Sequence, residues 1–285
     1  MNTNSKFKIL NIDGSMEMKN NYSEKIGEST TAKVYAVTSG KGGTGKTSIA
    51  VNLSIVLSRA GMRVLLIDAD MGLANIDLLT GVYAKHSIEE VIDGDASIFD
   101  ALAEGPENLT ILPASSGLGS IEVLGENIEI FKKELIKLEN AFDFIFIDTG
   151  AGISANVVDF VFMSEEVIVV MTPEPTAFAD AYAMAKLVSV EKPGMQIGII
   201  VNIVQNEDEG AKIFAKLNEI VKRFLGKEIR YRGCIYSDKN VADAVMRQIP
   251  LAIYAGKSPS MQSIREIARN ILGIKTAKKK NLFSR

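Results

Sequence analysis

Apolar and polar positions alternate without a lasting period over residues 1–31, apart from the short apolar patch "FKILNI". That stretch reads as a flexible N-terminal arm carrying one strand or docking segment. From Lys33 onward the pattern changes. "KVYAVTS" is a buried-strand run, and "KTSIAVNLSIVLSRAG" has helical spacing closed by Gly61. "RVLLIDAD", "NLTILPAS", "FDFIFIDTGAG", "EEVIVVMTPEP" and "QIGIIVNIV" are further apolar strands separated by helical stretches such as "IEIFKKELIKLENA". "YRGCIYSD" reads as a shorter, more polar strand. The amphipathic run "SPSMQSIREIARNILG" closes the pattern with Met261, Ile264, Ile267, Ala268, Ile271 and Leu272 on one face.

Nearly continuous apolar strands alternating with helices predict an α/β fold, a mostly parallel sheet covered by helices on both faces. No Pro/Gly/Ser-rich linker and no internal repeat divides it. The expected organisation is therefore an arm over residues 1–31, one domain over 32–273 and a basic tail over 274–285. In such folds the ligand sits beyond the carboxyl ends of the strands, which is where the distinctive residues fall.

Composition narrows the functional classes. The chain has 285 residues, 47% hydrophobic and 24% charged, with a net charge of −3. That balance gives no global reason to expect nucleic-acid binding. Cys234 is the only cysteine, so no intramolecular disulfide can form, which suits a reducing cytoplasm. No apolar run approaches the roughly 20 residues that span a bilayer. His86 is the only histidine and falls in a loop, and the methionines read as core filler.

The chemistry concentrates in "SGKGGTGKT". Gly40 to Thr47 fits strand–GxxxxGK[ST]–helix, a phosphate-binding loop for ATP with Mg²⁺. Gly40, Lys41, Gly42, Gly43, Thr44, Gly45 and Ser48 belong to that cradle, Lys46 reaches the β/γ-phosphates, and the Thr47 hydroxyl meets the metal. Asp68 and Asp70 end the second strand two residues apart, so both can face the nucleotide; capping of backbone N–H groups is the alternative. Asp148 ends another strand and is the second acid on the metal side, followed by Gly150 and Gly152, which leave the next segment free to respond to a γ-phosphate. Asn202 closes a later strand, where it serves either the nucleotide or an ordinary turn.

Lys41 is a second lysine inside a loop that already has one. The run K-G-G-x-G-K-T resembles the deviant phosphate loop of the MinD/ParA ATPases, and the resemblance covers roughly residues 33–272. It implies an ATP-dependent homodimer in which Lys41 acts in trans on the partner's ATP and neutralises charge as the γ-phosphate leaves. It further implies that Asp68 supports the metal shell, that Asp70 orients the attacking water, that Asn202 hydrogen-bonds the adenine edge, and that the "IYSDKNVADAV" loop closes over the base with Asp238 in contact. The expected activity is slow, Mg-dependent hydrolysis of ATP.

Within that family, "DADMGLANIDLLTGV", "DTGAGIS" and "TPEPTAFADAYAMAK" resemble the FlhG branch (also called FleN or YlxH), which controls flagellar number and placement. MinD proteins tend to carry Ser-Pro in place of Thr149-Gly150, and ParA proteins Pro-Gln in place of Met71-Gly72. The branch implies partnership with an FlhF-like GTPase, flagellar switch proteins or a flagellar transcription activator. It also implies a cytoplasmic protein that is peripheral at the inner membrane when ATP-bound. The Asp-Gln-Ala…Leu-Arg element of members that activate the GTPase is missing from residues 1–31. The tail "GIKTAKKKNLFSR" offers Lys275, Lys278, Lys279, Lys280 and Arg285 to an anionic surface, with Leu282 and Phe283 as a small anchor; a solvated basic tail is the other reading. A MinD-type division regulator and a ParA-type DNA-partitioning ATPase are the alternatives. A metal-cluster enzyme on this scaffold is excluded, because one cysteine cannot supply the two per subunit that a shared iron–sulfur cluster requires.

Overall fold

The computed structural model describes residues 31–70, 75–82, 84–114 and 124–274. All but the last residue of the expected arm and most of the expected tail lie outside these residues. Eight strands form one sheet: β1 (Lys33–Ser39), β2 (Val64–Ala69), β3 (Ala103–Glu104), β4 (Thr110–Leu112), β5 (Phe144–Ala151), β6 (Glu166–Met171), β7 (Gln196–Val204) and β8 (Arg230–Tyr236). Their order is β3-β4-β2-β5-β1-β6-β7-β8. All pairings are parallel except the two-residue edge strand β3, which runs antiparallel to β4 and which the sequence pattern did not reveal.

The strands look continuously apolar because successive side chains enter two different cores. Tyr35, Val37, Leu66, Phe144, Phe146 and Ile168 point to one face. There they meet α1 (Lys46–Arg59) and the later α10 (Pro259–Ile271). Their neighbours Val34, Ala36, Leu65, Ile67, Ile145 and Val167 point to the other. That face is covered by α3 (Ile88–Asp93), α4 (Leu124–Ile136), α5 (Ala155–Phe162), α6 (Pro175–Glu191) and α7 (Glu207–Leu225). Period-two alternation with both faces covered is what a doubly wound parallel sheet requires. Tyr35 and Phe146 stack at 5.4 Å between ring centroids, filling the layer beneath α1.

Three short helices complete the fold: α2 (Ile76–Thr80), α8 (Lys239–Met246) and α9 (Leu251–Tyr254). Strand β8 is as long as β1 and looks polar because it is an edge. Its Arg232 crosses over β7 to the buried Glu166 of β6, with Nε 2.6 Å from Oε1. The crossing passes Gly198, where a Cβ would lie 2.5 Å from that carboxylate, so β7 carries a glycine there. Cys234 is buried as expected, but its thiol also contacts the Glu207 carboxylate at 3.0 Å, and burial pushes it up to about 12. Met246 departs from the core-filler reading, being 76% exposed. Ile274, placed in the tail by sequence, packs on the core, and its N–H donates to the Arg269 carbonyl at 2.9 Å.

Candidate functional site

β1 lies in the middle of the sheet, and its chain turns at Ser39 through residues 40–45 into α1. Gly43 and Gly45 adopt φ of +78° and +90°, conformations that a side chain would strain. Gly45 is the N-cap of α1, so no side chain caps that terminus, and no acid stands in its first turn. Its free N–H groups and partial positive charge are therefore open to an anion.

A cavity of about 740 Å³ opens over this turn. Gly42, Gly43, Gly45, Lys46, Thr47 and Ser48 form its floor. Asp70, Asn75, Leu78 and Leu79 make one wall, and residues from Gly150 to Val157 another. Val245 and Gln248, at the end of α8 and just beyond it, close the far side. Sequence reasoning missed the walls from α2 and α5, since nothing in their residue types announces a ligand, whereas Val245 belongs to the "IYSDKNVADAV" stretch expected to close over the site.

Inside the site, Lys46 is nearly buried, with Nζ 3.1 Å from Asp70 Oδ2 and 3.4 Å from the Thr47 hydroxyl. Asp148 is fully buried within β5, which runs three residues past it to Ala151 where the sequence placed a strand end, and neither carboxylate oxygen makes a well-aligned hydrogen bond. Burial pushes its carboxyl up to about 7, against the pull of Lys46 and of the nearby Thr47 hydroxyl, with Asp68 and Asp70 adding to the rise. Asp68 differs from the expectation that both strand-end acids face the ligand. Its carboxylate accepts the N–H groups of Asp70, Asn75 and Ile76, each at 3.1 Å. Burial pushes it up to about 6 while those N–H groups pull it back. Asp70 therefore faces the cavity, and Asp68 braces the backbone behind it.

The other expected site residues lie around the cavity's margin or away from it. Gly40 and Lys41 face α6. A Cβ on Gly40 would lie 1.9 Å from the Cβ of Asp180. Lys41 pairs with the Glu174 carboxylate, and its Nζ lies 3.3 Å from the Thr176 hydroxyl. Gly152, at φ +93°, donates its N–H to the Ser39 carbonyl at 2.8 Å. Thr44 and Asn202 meet behind the loop, where Asn202 Nδ2 donates to the Thr44 carbonyl at 2.7 Å. Asp238 does not line the cavity. It caps α8, accepting from the Asn240 backbone N–H at 2.9 Å and from that of Ser260 at 3.2 Å. A further tether lay beyond sequence reasoning: Asn52 on α1 accepts the Ala252 N–H at 2.7 Å and fixes α9 beside the site.

Comparison with known proteins agrees with this geometry. A family profile described as an AAA domain matches residues 32–193. The antiactivator FleN of Pseudomonas aeruginosa is 35% identical over 253 residues, covering 87% of this chain and 89% of that protein. The flagellum site-determining protein YlxH of Helicobacter pylori is 34% identical over 260 residues, covering 90% and 87%. The solved septum site-determining protein MinD of Pyrococcus horikoshii, complexed with Mg-ADP, superposes with a TM-score of 0.70 at 26% identity, covering 84% of this chain and 96% of that one.

Proposed function

We propose, from the premise that this chain belongs to the MinD/ParA family of phosphate-loop ATPases and lies among its FleN and YlxH members, that it is an ATP-switched regulator of flagellar number and placement. In this reading the loop amides and the α1 N-terminus cradle the phosphates, and Lys46 leaves Asp70 to meet the β/γ oxygens. Asp70, released, orients the attacking water. Mg²⁺ fits the chain's own donors: the two buried oxygens of Asp148, without well-aligned hydrogen bonds, and the Thr47 hydroxyl would hold it, with Asp68 behind. When bound, it neutralises charge on the phosphate oxygens.

The observation that carries the dimer is the place of Lys41. Among the described residues lining the cavity, Lys46 is the only cation. Lys41 stands outside, a third exposed and held by Glu174 in its own subunit. Its ammonium supplies the second positive charge only when two copies meet face to face, so hydrolysis by one copy is slow. The dimer then presents the start of α6 to an FlhF-like GTPase, a flagellar switch protein or a flagellar transcription activator.

Sedimentation velocity tests this. With saturating ATP, Asp70→Ala should accumulate as a dimer because the γ-phosphate persists. Lys41→Ala should bind ATP yet remain monomeric, as should the unmodified protein with ADP. A monomeric Asp70→Ala under saturating ATP would reject the switch. In cells, Lys41→Ala should change the number of flagella. Misplaced septa with normal flagella would favour a septum-placing role like that of the Pyrococcus protein.

A further inference from the structure

Helix α8 ends in a closed turn. The Gln248 N–H donates to the Val245 carbonyl at 3.0 Å, and the Ile249 N–H to the Ala244 carbonyl at 3.1 Å. This pair of bonds stops a helix through one left-handed residue, a place usually given to glycine. Here Gln248 fills it at φ +55°. An apolar residue after such a turn commonly packs back on its helix, yet Ile249 is 37% exposed. With Val245 at 47%, Ile253 at 45% and Met246 at 76%, it makes an outward apolar ridge.

The ridge is anchored from behind. Asn52 accepts the Ala252 N–H, and Arg59 Nη1 donates to the Ala252 carbonyl at 2.9 Å. Ala244, Leu251 and Ala252 are fixed in the core layer beneath. Turning the exposed side chains inward would undo these contacts, so the fold holds them out.

Charge around the ridge is one-sided. From Ala244 to Arg285 there are nine lysines and arginines and one acid, Glu266, in a chain whose net charge is −3. Arg247 and Lys257 are both exposed on either side of α9. Ile274 packs on the same core layer as α8 and α9, so the basic segment that follows it begins on this side of the sheet. Cations beside an apolar ridge suit a surface with anionic head groups over hydrocarbon. A nucleic acid would use the cations and leave the ridge in water.

We infer that the α8–α9 turn is a lipid contact of the folded domain, which acts together with the basic segment after Ile274 on an anionic membrane surface. Neither signal holds alone, and two together do. The contact goes beyond the ATP-switch reading and involves none of the residues that bind or hydrolyse the nucleotide in it.

A fluorescent label tests this directly. In a Cys234→Ser chain, Met246→Cys takes an environment-sensitive nitrobenzoxadiazole on the ridge, and Val190→Cys takes it on α6, across the sheet, as the control. Excess vesicles of phosphatidylglycerol and phosphatidylethanolamine should shift the ridge label to the blue and brighten it severalfold. The α6 label should not respond, and phosphatidylcholine vesicles should change neither. In co-sedimentation with ATP, the full chain carrying Met246→Glu and Ile249→Glu should partition about tenfold more weakly than the parent.

Equal responses at both labels, no response at the ridge, or unchanged partition of the Glu variant would overturn the inference. A ridge response to duplex DNA and not to lipid would assign the surface to nucleic acid. A response to ATP without vesicles would assign it to a second copy, and one abolished by deleting residues 275–285 without vesicles would assign it to the chain's own tail. Each of these also overturns the lipid contact. Sedimentation velocity with ATP reads the switch separately, so a failure there leaves the label result standing.

Discussion

Asp148 is a carboxylic acid fully buried in the interior of the sheet without a well-aligned hydrogen bond, and that burial has a measurable sign. Its carboxyl is raised to about 7 in the folded state, while in the unfolded chain it has its ordinary value near 3.8. Between those values the native protein holds a proton that the unfolded chain has released. Stability is therefore full on the acid side and is lost as pH rises from about 4 towards 7. Asp148→Asn should remove most of this slope. In metal-free buffer at pH 8 the variant should exceed the parent by ~1–3 kcal/mol, with the gap closing at pH 4. Urea unfolding at the two pH values reads the difference. Equal slopes for both proteins would mean that the acid is solvated or paired. Asp68, raised to about 6, leaves a smaller slope of the same sign in both.

At the scale of elements, the phosphate loop is pressed between neighbours. Gly40→Ala puts a methyl group 1.9 Å from the Asp180 Cβ and must push α6 away from the loop. Gly42→Ala points into open space. Thermal melts should show the first losing about 2 kcal/mol or more and the second less than about 0.5. Similar melts for the two would mean that α6 yields freely.

These contacts also mark what the sequence could reveal. The alternating strands, the helix after the loop and the acids near the ends of two strands were legible because each follows a local period or motif. That Glu174 and Thr176 meet Lys41 was not. It depends on β6 lying beside β1, which is a property of strand order and leaves no trace in local pattern. Asp68 and Asp238 misled for a related reason: an acid at a strand end suits a ligand and a backbone N–H equally well, and only the surrounding chain decides.

For the whole molecule, the basic segment beyond Ile274 bears on membrane contact. No helix among the described residues is long and apolar enough to cross a membrane. Association through a short basic segment with two apolar residues is marginal for one chain and strengthens when dimerisation joins two. Because Ile274 packs on the core, the informative truncation removes residues 275–285 only. ATP-loaded Asp70→Ala should co-sediment with anionic vesicles, and the truncated form should remain in solution while still dimerising. Equal co-sedimentation of both would exclude the tail.

Strand β1 has β5 on one side and β6 on the other, at the centre of the sheet. Central strands are the last to open in hydrogen exchange, and they open only with the whole domain. The loop that grows from β1 is anchored on that strand, so complete opening of the domain also dismantles the loop. A ligand gripping that loop lowers the frequency of complete opening by the full factor of its occupancy. The amides of the buried strands thus report occupancy of the site, including those that lie far from it.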